Sequence, residues 1–407
     1  MSFSQGLSGL NVNAKALDVV GNNIANSNTA GFKVANPAFA DVYAASLAGA
    51  SQIGIGATII EINQQFNQGN IKTTSNPLDL AINGQGFYRV SNNGTITWTR
   101  DGQFHIDKDG YIVNNVGYRL TGYATDAAGN IVPSTPVEIH IDTADLQPRA
   151  TGASPAHTGL QIGLNLDSRA DVITAAFDIS NPATYNSSTS ATVYDSLGNA
   201  HLLNLYFRKT GPGAWDLYTS LDGGAATGPT ALTFDASGAL TSPANGIVPQ
   251  SHAITTGATT PLAFDLNLSG STQYGSLFGV NSITQDGYAS GRLSGLTVAS
   301  DGTIQGRYSN GQTRDLAQVV LGNFNNPNGL LSLGNNQWAE TAESGQAVIG
   351  VPGSSSLGVI QSSALEESNV DLTEELVKLI TFQRAYQANA QTIRTQDQIQ
   401  QTLVNLR

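Results

Sequence analysis

Apolar residues recur at helical spacing at both ends of the chain, and between those ends the spacing changes to period two. At the start, Phe3, Leu7, Leu10, Ala14, Leu17, Gly21 and Ile24 follow in steps of 4, 3, 4, 3, 4 and 3. That is a heptad seam, narrower than the stripe of an ordinary surface helix. Ser2 and Gln5 fit a capping box before it, and the turn formers of 26–31 ("NSNTAG") end it. At 1.5 Å per residue the predicted helix is roughly 35 Å long.

A second, longer helix is predicted at the other end. Asp371 suits its N-cap and Glu374 its third position, with Glu374 and Glu375 in the first turn and Arg394 and Arg407 late. Its apolar positions are Leu372, Leu376, Leu379, Tyr386, Ala390 and Ile393, after which the frame slips to Ile399, Leu403 and Leu406. Two seamed helices at opposite ends of one chain are expected to pair as a coiled coil.

From residue 77 to 125, turn signals ("INGQG", "SNNG", "RDGQ", "DKDG", "NNVG") alternate with strand-like pieces at 87–90, 95–98, 104–106 and 111–113. This predicts an antiparallel β domain. The same grammar returns at 303–308 and 317–321. Residues 148–288 also read as β, richer in Ser, Thr, Ala and Gly. The expected fold is therefore mainly β with terminal α-helices, in nested, discontinuous domains. Residues 1–33 with 361–407 form the helical polymerisation domain, and 34–76 a linker of mixed structure. Residues 77–147 with 289–360 form a first β domain, and 148–288 an inserted outer β domain.

Composition sharpens this picture. Charged residues make up only 12% of the 407, against about 25% in ordinary globular chains. Residues 1–31 carry only Lys15 and Asp18. A helix so poor in charge is an aggregation risk alone and sensible only when copies of itself cover it. The net charge of −12 lies mostly in the interior of the chain, which argues against nucleic acid and anionic membrane as partners. No stretch is apolar enough to span a bilayer, and no secretory signal pattern is evident at the N-terminus.

Candidate chemistry is sparse. There is no cysteine, and His105, His140, His157, His201 and His252 are isolated, without metal-ligand spacing. Asp107 opens a calcium-like loop, but Tyr111 occupies a ligand position, so a β-turn is the better reading. Phosphate loops, dinucleotide fingerprints and nucleophile elbows are missing. No catalytic, cofactor-binding or metal site is expected. Trp98, Trp215 and Trp338 read as core rather than a sugar groove. The amide-rich face of the C-terminal helix, with Gln383, Gln387, Gln391 and Gln398, suits the lining of a channel for unfolded chains, and equally a solvated face.

These residues carry a resemblance. "LDVVGNNIANSNTAGFK" (17–33) resembles the N-terminal signature of the bacterial flagellar rod and hook family, through Asn22, Asn23, Ile24, Ala25, Asn26, Thr29, Gly31 and Phe32. "NPLDLAINGQGFYRV" with "TRDGQFHIDKDGYIVNNVGYRLTGY" is similar to the family's first β domain. "SNVDLTEELVKLITFQRAYQANAQTIRTQDQIQQTLVNLR" is similar to its C-terminus. The insertion at 148–288 favours a hook-type over a rod-type member.

The resemblance implies a structural protein of the extracellular flagellum, exported without a cleaved signal. It would polymerise with itself into a curved hollow tube that transmits torque as a flexible joint. The implied partners are further copies, the flagellar rod, the hook cap, the hook–filament junction protein and the flagellar type III export apparatus. A rod or hook-associated member is the alternative. A secreted β-rich adhesin is a remote one, since such a module has no need of paired low-charge helices at both ends.

Overall fold

The computed structural model describes residues 2–42, 54–126, 129–142, 144–153 and 159–405, with the backbone alone for Ser2 and 403–405. The capping side chain of Ser2, the side chain of Leu403, and His157, Leu406 and Arg407 lie outside the described residues.

Helix α1 spans Ser2–Ala25 and helix α2 spans Leu372–Asn405. Asp371 caps α2: its Oδ1 accepts the N–H of Thr373 at 2.8 Å and of Glu374 at 3.2 Å. Those backbone bonds, from Glu374 and Thr373, hold its carboxyl below the usual range. Glu374 does not close a capping box; it turns to Lys378, 2.9 Å away. After α1 the chain reverses through hydrogen bonds from Asn26 N–H to Asn22 O and from Thr29 N–H to Asn26 O. Gly31 completes the turn at φ +69°, and a Cβ there would stand 2.6 Å from the backbone of Arg100 and Asp101. Only glycine fits.

The described chain divides into two compact units, Met1–Thr143 with Gly295–Arg307 and Thr313–Arg407, and Ala144–Ser294 with Tyr308–Gln312. In the first unit the two helices lie against each other and against an antiparallel hairpin, Ala35–Val42 paired with Gly56–Gln64. Part of the unassigned 34–76 stretch is thus regular structure, with a bulge beside Ala38 and Phe39. Two short pairings then stitch the ends of the chain to its early strands: Ala364–Glu366 on Ile71–Thr73, and Val359–Ser362 on Leu80–Asn83.

In the main sheet of this unit Thr303–Tyr308, Thr313–Val319, Arg119–Ala124, Phe87–Asn92, Thr95–Thr99, Gln337–Ala339 and Leu331–Gly334 lie side by side in that order. Trp98 and Trp338 stand in register, both 2% exposed, and pack with Phe87 and Phe324. Gly322 makes room for the Trp98 ring, for a Cβ there would lie 2.1 Å from the indole.

In the second unit, two five-stranded sheets enclose one apolar core. One is a meander, Ser187–Tyr194, Ala200–Gly211, Ala214–Leu221, Thr227–Phe234 and Leu240–Ser242. Ala200–Gly211 shows why it forms. His201, Leu203, Leu205, Phe207 and Lys209 all point inward, one residue in two, with the polar pair at the ends of the row. In the other sheet Leu160–Asp167 pairs antiparallel with Gly279–Gln285 and parallel with Leu262–Asn267 and Thr272–Tyr274. Its Leu160, Ile162, Leu164 and Leu166 alternate with Gln161, Gly163, Asn165 and Asp167 and turn into the core one residue in two.

Candidate assembly interface

The site is built from the two helices and the junction that joins them to the sheet. Where α1 meets α2, the contact runs through glycines. A Cβ on Gly9 would lie 2.6–2.8 Å from the side chain of Asn389, and one on Gly6 would lie 3.0 Å from Ile393. On the hairpin side, Gln5 Nε2 donates to Gly54 O at 2.6 Å, and Ser8 Oγ accepts the Ala57 N–H at 3.4 Å. The face of α1 turned into the fold is Gly6, Val12, Ala16, Val19, Val20 and Asn23.

This corrects the intrachain role expected of the heptad stripe. Phe3 and Leu7 are 49% and 45% exposed. Gly21 is exposed, with nothing within 4 Å of a Cβ built on it, while Leu10, Ala14, Leu17 and Ile24 are half-buried. The inward face is rotated by about one residue, roughly 100° around the helix. At Gly6 and Gly9 the close approach of α2 excludes bulk, and the rest of the inward face is Val, Ala and Asn.

Helix α2 shows the same division. Half-buried Leu379, Phe382, Ala385, Asn389, Ala390 and Ile393 face inward, and the Phe382 ring meets Phe39 edge-on at 6.1 Å. Leu372, Leu376 and Tyr386, expected in the seam, are 44%, 50% and 41% exposed, joined by Val377 at 59%, Ile380 at 49% and Ile399 at 48%. Gln383, Gln387, Gln391 and Gln398 are all exposed. The helix pair therefore meets through Gly6 and Gly9 of α1, turns Leu379, Phe382 and Ile393 of α2 inward, and leaves a second set of large apolar residues exposed.

The family-motif residues fasten α1 to the turn and the hairpin strand beyond it. Buried Asn23 acts as a strand partner: its Oδ1 accepts the Ala35 N–H at 3.0 Å, and its Nδ2 donates to Ala35 O at 2.8 Å and to Glu375 Oε2 at 3.0 Å. Glu375 Oε1 in turn accepts from Lys378 at 2.8 Å. Burial lowers the Lys378 pKa, but its bonds to Glu375 and Glu374 win and hold it above its ordinary value. Asn22, Asn26 and Thr29 bond one another around the turn. Half-buried Phe32 donates its N–H to Thr29 O, and Ala25 is exposed.

Sequence reasoning missed the charged centre of this junction. Glu366, 2% exposed, accepts from Lys33 Nζ at 2.7 Å and Gly69 N–H at 2.9 Å on Oε1, and from Arg100 at 3.2 Å on Oε2. Lys33 also donates to Asn67 O at 2.7 Å, and Arg100 to Gly84 O at 2.8 Å. Burial pulls the Lys33 pKa down, against the pull of Glu366. Asn369 completes the tie, accepting from Val34 N–H at 2.7 Å and donating to Gln65 O at 2.7 Å. The signal available in sequence was Lys33 itself, a cation directly after an almost uncharged helix and turn. Among the described residues no group of His, Cys, Asp and Glu could hold a metal ion.

Family models match along the chain: "Flagella basal body rod protein" over residues 5–33, and "Flagellar hook protein FlgE/F/G D1 domain" over 81–154. "Flagellar basal body protein FlaE D2 domain" matches 165–288, and "Flagellar basal body rod FlgEFG protein C-terminal" matches 361–406. The flagellar hook protein FlgE of Escherichia coli K12 is 43% identical over 419 residues, covering 100% of both chains. That of Borreliella burgdorferi is 34% identical, covering 100% of this chain and 99% of its own. In fold, the crystal structure of Helicobacter pylori flagellar hook protein FlgE2 matches with a TM-score of 0.52 at 14% identity, over 72% of this chain and 100% of that one. With glycine-mediated helix pairing and exposed apolar helix faces already in view, these likenesses show that the chain belongs to the bacterial flagellar hook protein family.

Proposed function

We propose that this structural subunit of the flagellar hook polymerises through its terminal helices into a short, curved, hollow tube. The tube passes motor torque from rod to filament while bending as it turns. The observation that carries the reading is the outward apolar face of the helix pair. Phe3, Leu7, Leu372, Leu376, Val377, Ile380, Tyr386 and Ile399 are each 41–59% exposed. Covering what remains of each is worth on the order of 1 kcal/mol, enough together to drive association of identical chains. The stripe read from the sequence then serves contacts between copies.

On this reading the exposed amides Gln383, Gln387, Gln391 and Gln398 line the channel, where nearly neutral side chains let an unfolded chain slip past. The subunit would reach the growing end through the flagellar type III export apparatus, without a cleaved signal. It would add beneath the hook cap, and join the rod at one end and the hook–filament junction protein at the other.

The test is electron microscopy under polymerising conditions, with basal-body seeds and cap protein supplied. The full chain is compared with one lacking residues 1–25 and 371–407. The cuts spare Lys33 and Glu366, whose loss would damage the β structure rather than assembly alone. Tubes from the full chain and monomers from the shortened one are expected. Tubes from the shortened chain would refute helix-driven assembly.

A further inference from the structure

At Asp107, Asp195 and Asp235, carboxylate Oδ1 accepts backbone N–H groups two and four residues on, closing a turn. Asp195, fully buried, does more with its second oxygen. Oδ2 accepts Thr256 Oγ1–H at 2.7 Å and Asn199 Nδ2–H at 2.9 Å, and faces His201 Nε2 at 3.3 Å. The other ring nitrogen, Nδ1, lies 2.6 Å from Asp222 Oδ2, and Asp222 Oδ1 accepts the Leu202 N–H at 2.8 Å. His201 is only 5% exposed, whereas the Asp222 side chain is 51% exposed.

A ring with a carboxylate at each nitrogen is satisfied only as imidazolium, which has two N–H donors. Neutral imidazole must turn a lone pair on one of them. The charged groups facing the ring are Asp195, on the turn leading into its own strand, and Asp222, on the turn leaving the neighbouring strand. From the loop of residues 253–260 the facing group is uncharged Thr256. Asp222 makes the shorter contact, so on proton loss the remaining N–H stays with it. The lone pair then meets buried Asp195, the residue to which the loop is tied. A second tie, Thr259 N–H to Ser196 Oγ at 2.9 Å, reaches the same turn.

We propose that His201 is a proton-operated clasp, fastening the 195–199 turn and loop 253–260 to the meander sheet as imidazolium and loosening both when the ring loses its proton. Burial opposes the charged ring, but the bonds to Asp222 and Asp195 outweigh it and raise its pKa above 6.5. A raised folded value means that the clasp contributes fully below 6.5 and is lost as pH rises through the folded value.

The experiment is carried out on the full chain. NMR follows the His201 ring, and hydrogen exchange corrected for intrinsic rate follows 253–260, both from pH 5 to 9. The ring is expected to titrate above 6.5, with loop protection falling about ten- to a hundredfold through the same midpoint, the worth of one charge-assisted hydrogen bond. Asp222→Asn, at the exposed end, moves that midpoint to lower pH. Thr256→Ala leaves the loop weakly protected at every pH while the ring still titrates. His201→Gln removes the pH dependence where it folds; where it does not, Asp222→Asn decides. Loop protection unchanged across the ring's titration, or a ring titrating at or below 6.5, overturns the proposal.

Discussion

Replacing Glu366 by Gln changes one charge and almost no volume, at the point where both terminal segments meet the sheet. The carboxylate takes three hydrogen bonds, from Lys33, Gly69 and Arg100. An amide has a single acceptor oxygen. Aimed at Lys33 and Gly69, it leaves its NH2 facing the Arg100 guanidinium, donor against donor. Two cations, 1% and 3% exposed, are then left without a counter-charge. Breaking a buried pair in this way costs about 3–5 kcal/mol. Lys33, whose pKa burial already lowers, can shed its proton and recover part of this. A loss of about 3 kcal/mol is expected, a fall of ~6–12 °C in melting temperature for a unit of this size.

Calorimetry with hydrogen exchange across 360–370 measures it. The second unit contains none of the three residues, so its transition is the internal reference. The sign with pH is also fixed. The unfolded chain holds the Lys33 proton up to 10.5 and the folded chain releases it earlier, so stability rises with pH in that window. Without Glu366 the Lys33 pKa falls further, so the variant gains stability from a lower pH than the wild type and its deficit shrinks from pH 7 toward pH 10. A loss below about 1 kcal/mol, or equal shifts in both units, would show that the triad does not hold the junction.

Three further outcomes are expected from the same geometry. Burial pushes the Asp101 carboxyl up to about 6, with Asp79 adding to it, so it costs stability as pH rises from 3.8 through 6. Asp101→Asn is expected to raise the unfolding free energy read from urea titration by about 1–3 kcal/mol at pH 7 and leave it unchanged near pH 3.5, and equal gains at both would refute the linkage. Gly21→Ala, with open space at its Cβ, is expected to stabilise α1 by up to ~1 kcal/mol. Gly9→Leu should instead push α2 away at ~1–3 kcal/mol, so thermal melts by circular dichroism must move in opposite directions. Asp371→Ala removes the cap of α2 for about 1 kcal/mol, read as faster exchange confined to residues 372–378.

Local signals were readable where local chemistry decides. Asp371 began its helix, 26–31 ended the other, and Phe104–Ile106 and Thr303–Tyr308 fall where turn spacing placed them. What could not be read depends on distance along the chain. Glu366 meets partners 333 and 266 positions away, and nothing near it announces them. Leu160–Asp167 shows a strand's alternation but not its parallel neighbours, which lie about a hundred residues on.

The helix face is a different kind of miss. A heptad stripe ranks positions by size and does not say which neighbour covers them. Within the chain α1 is squeezed between α2 and the hairpin, and Gly6 and Gly9 are selected for thinness. Phe3, Leu7, Leu376 and Tyr386 remain outside at 41–50% exposure, an arrangement that solvent alone does not reward. Glycines on α1 set how closely the helices pair, and the large residues of α2 divide between an inward set, Leu379, Phe382 and Ile393, and an exposed one. Of the seam read from the sequence, Leu379, Ala390 and Ile393 turn inward while Phe3, Leu7, Gly21, Leu372, Leu376 and Tyr386 stay exposed, because sequence spacing ranks positions by size and only the fold shows which side another element covers.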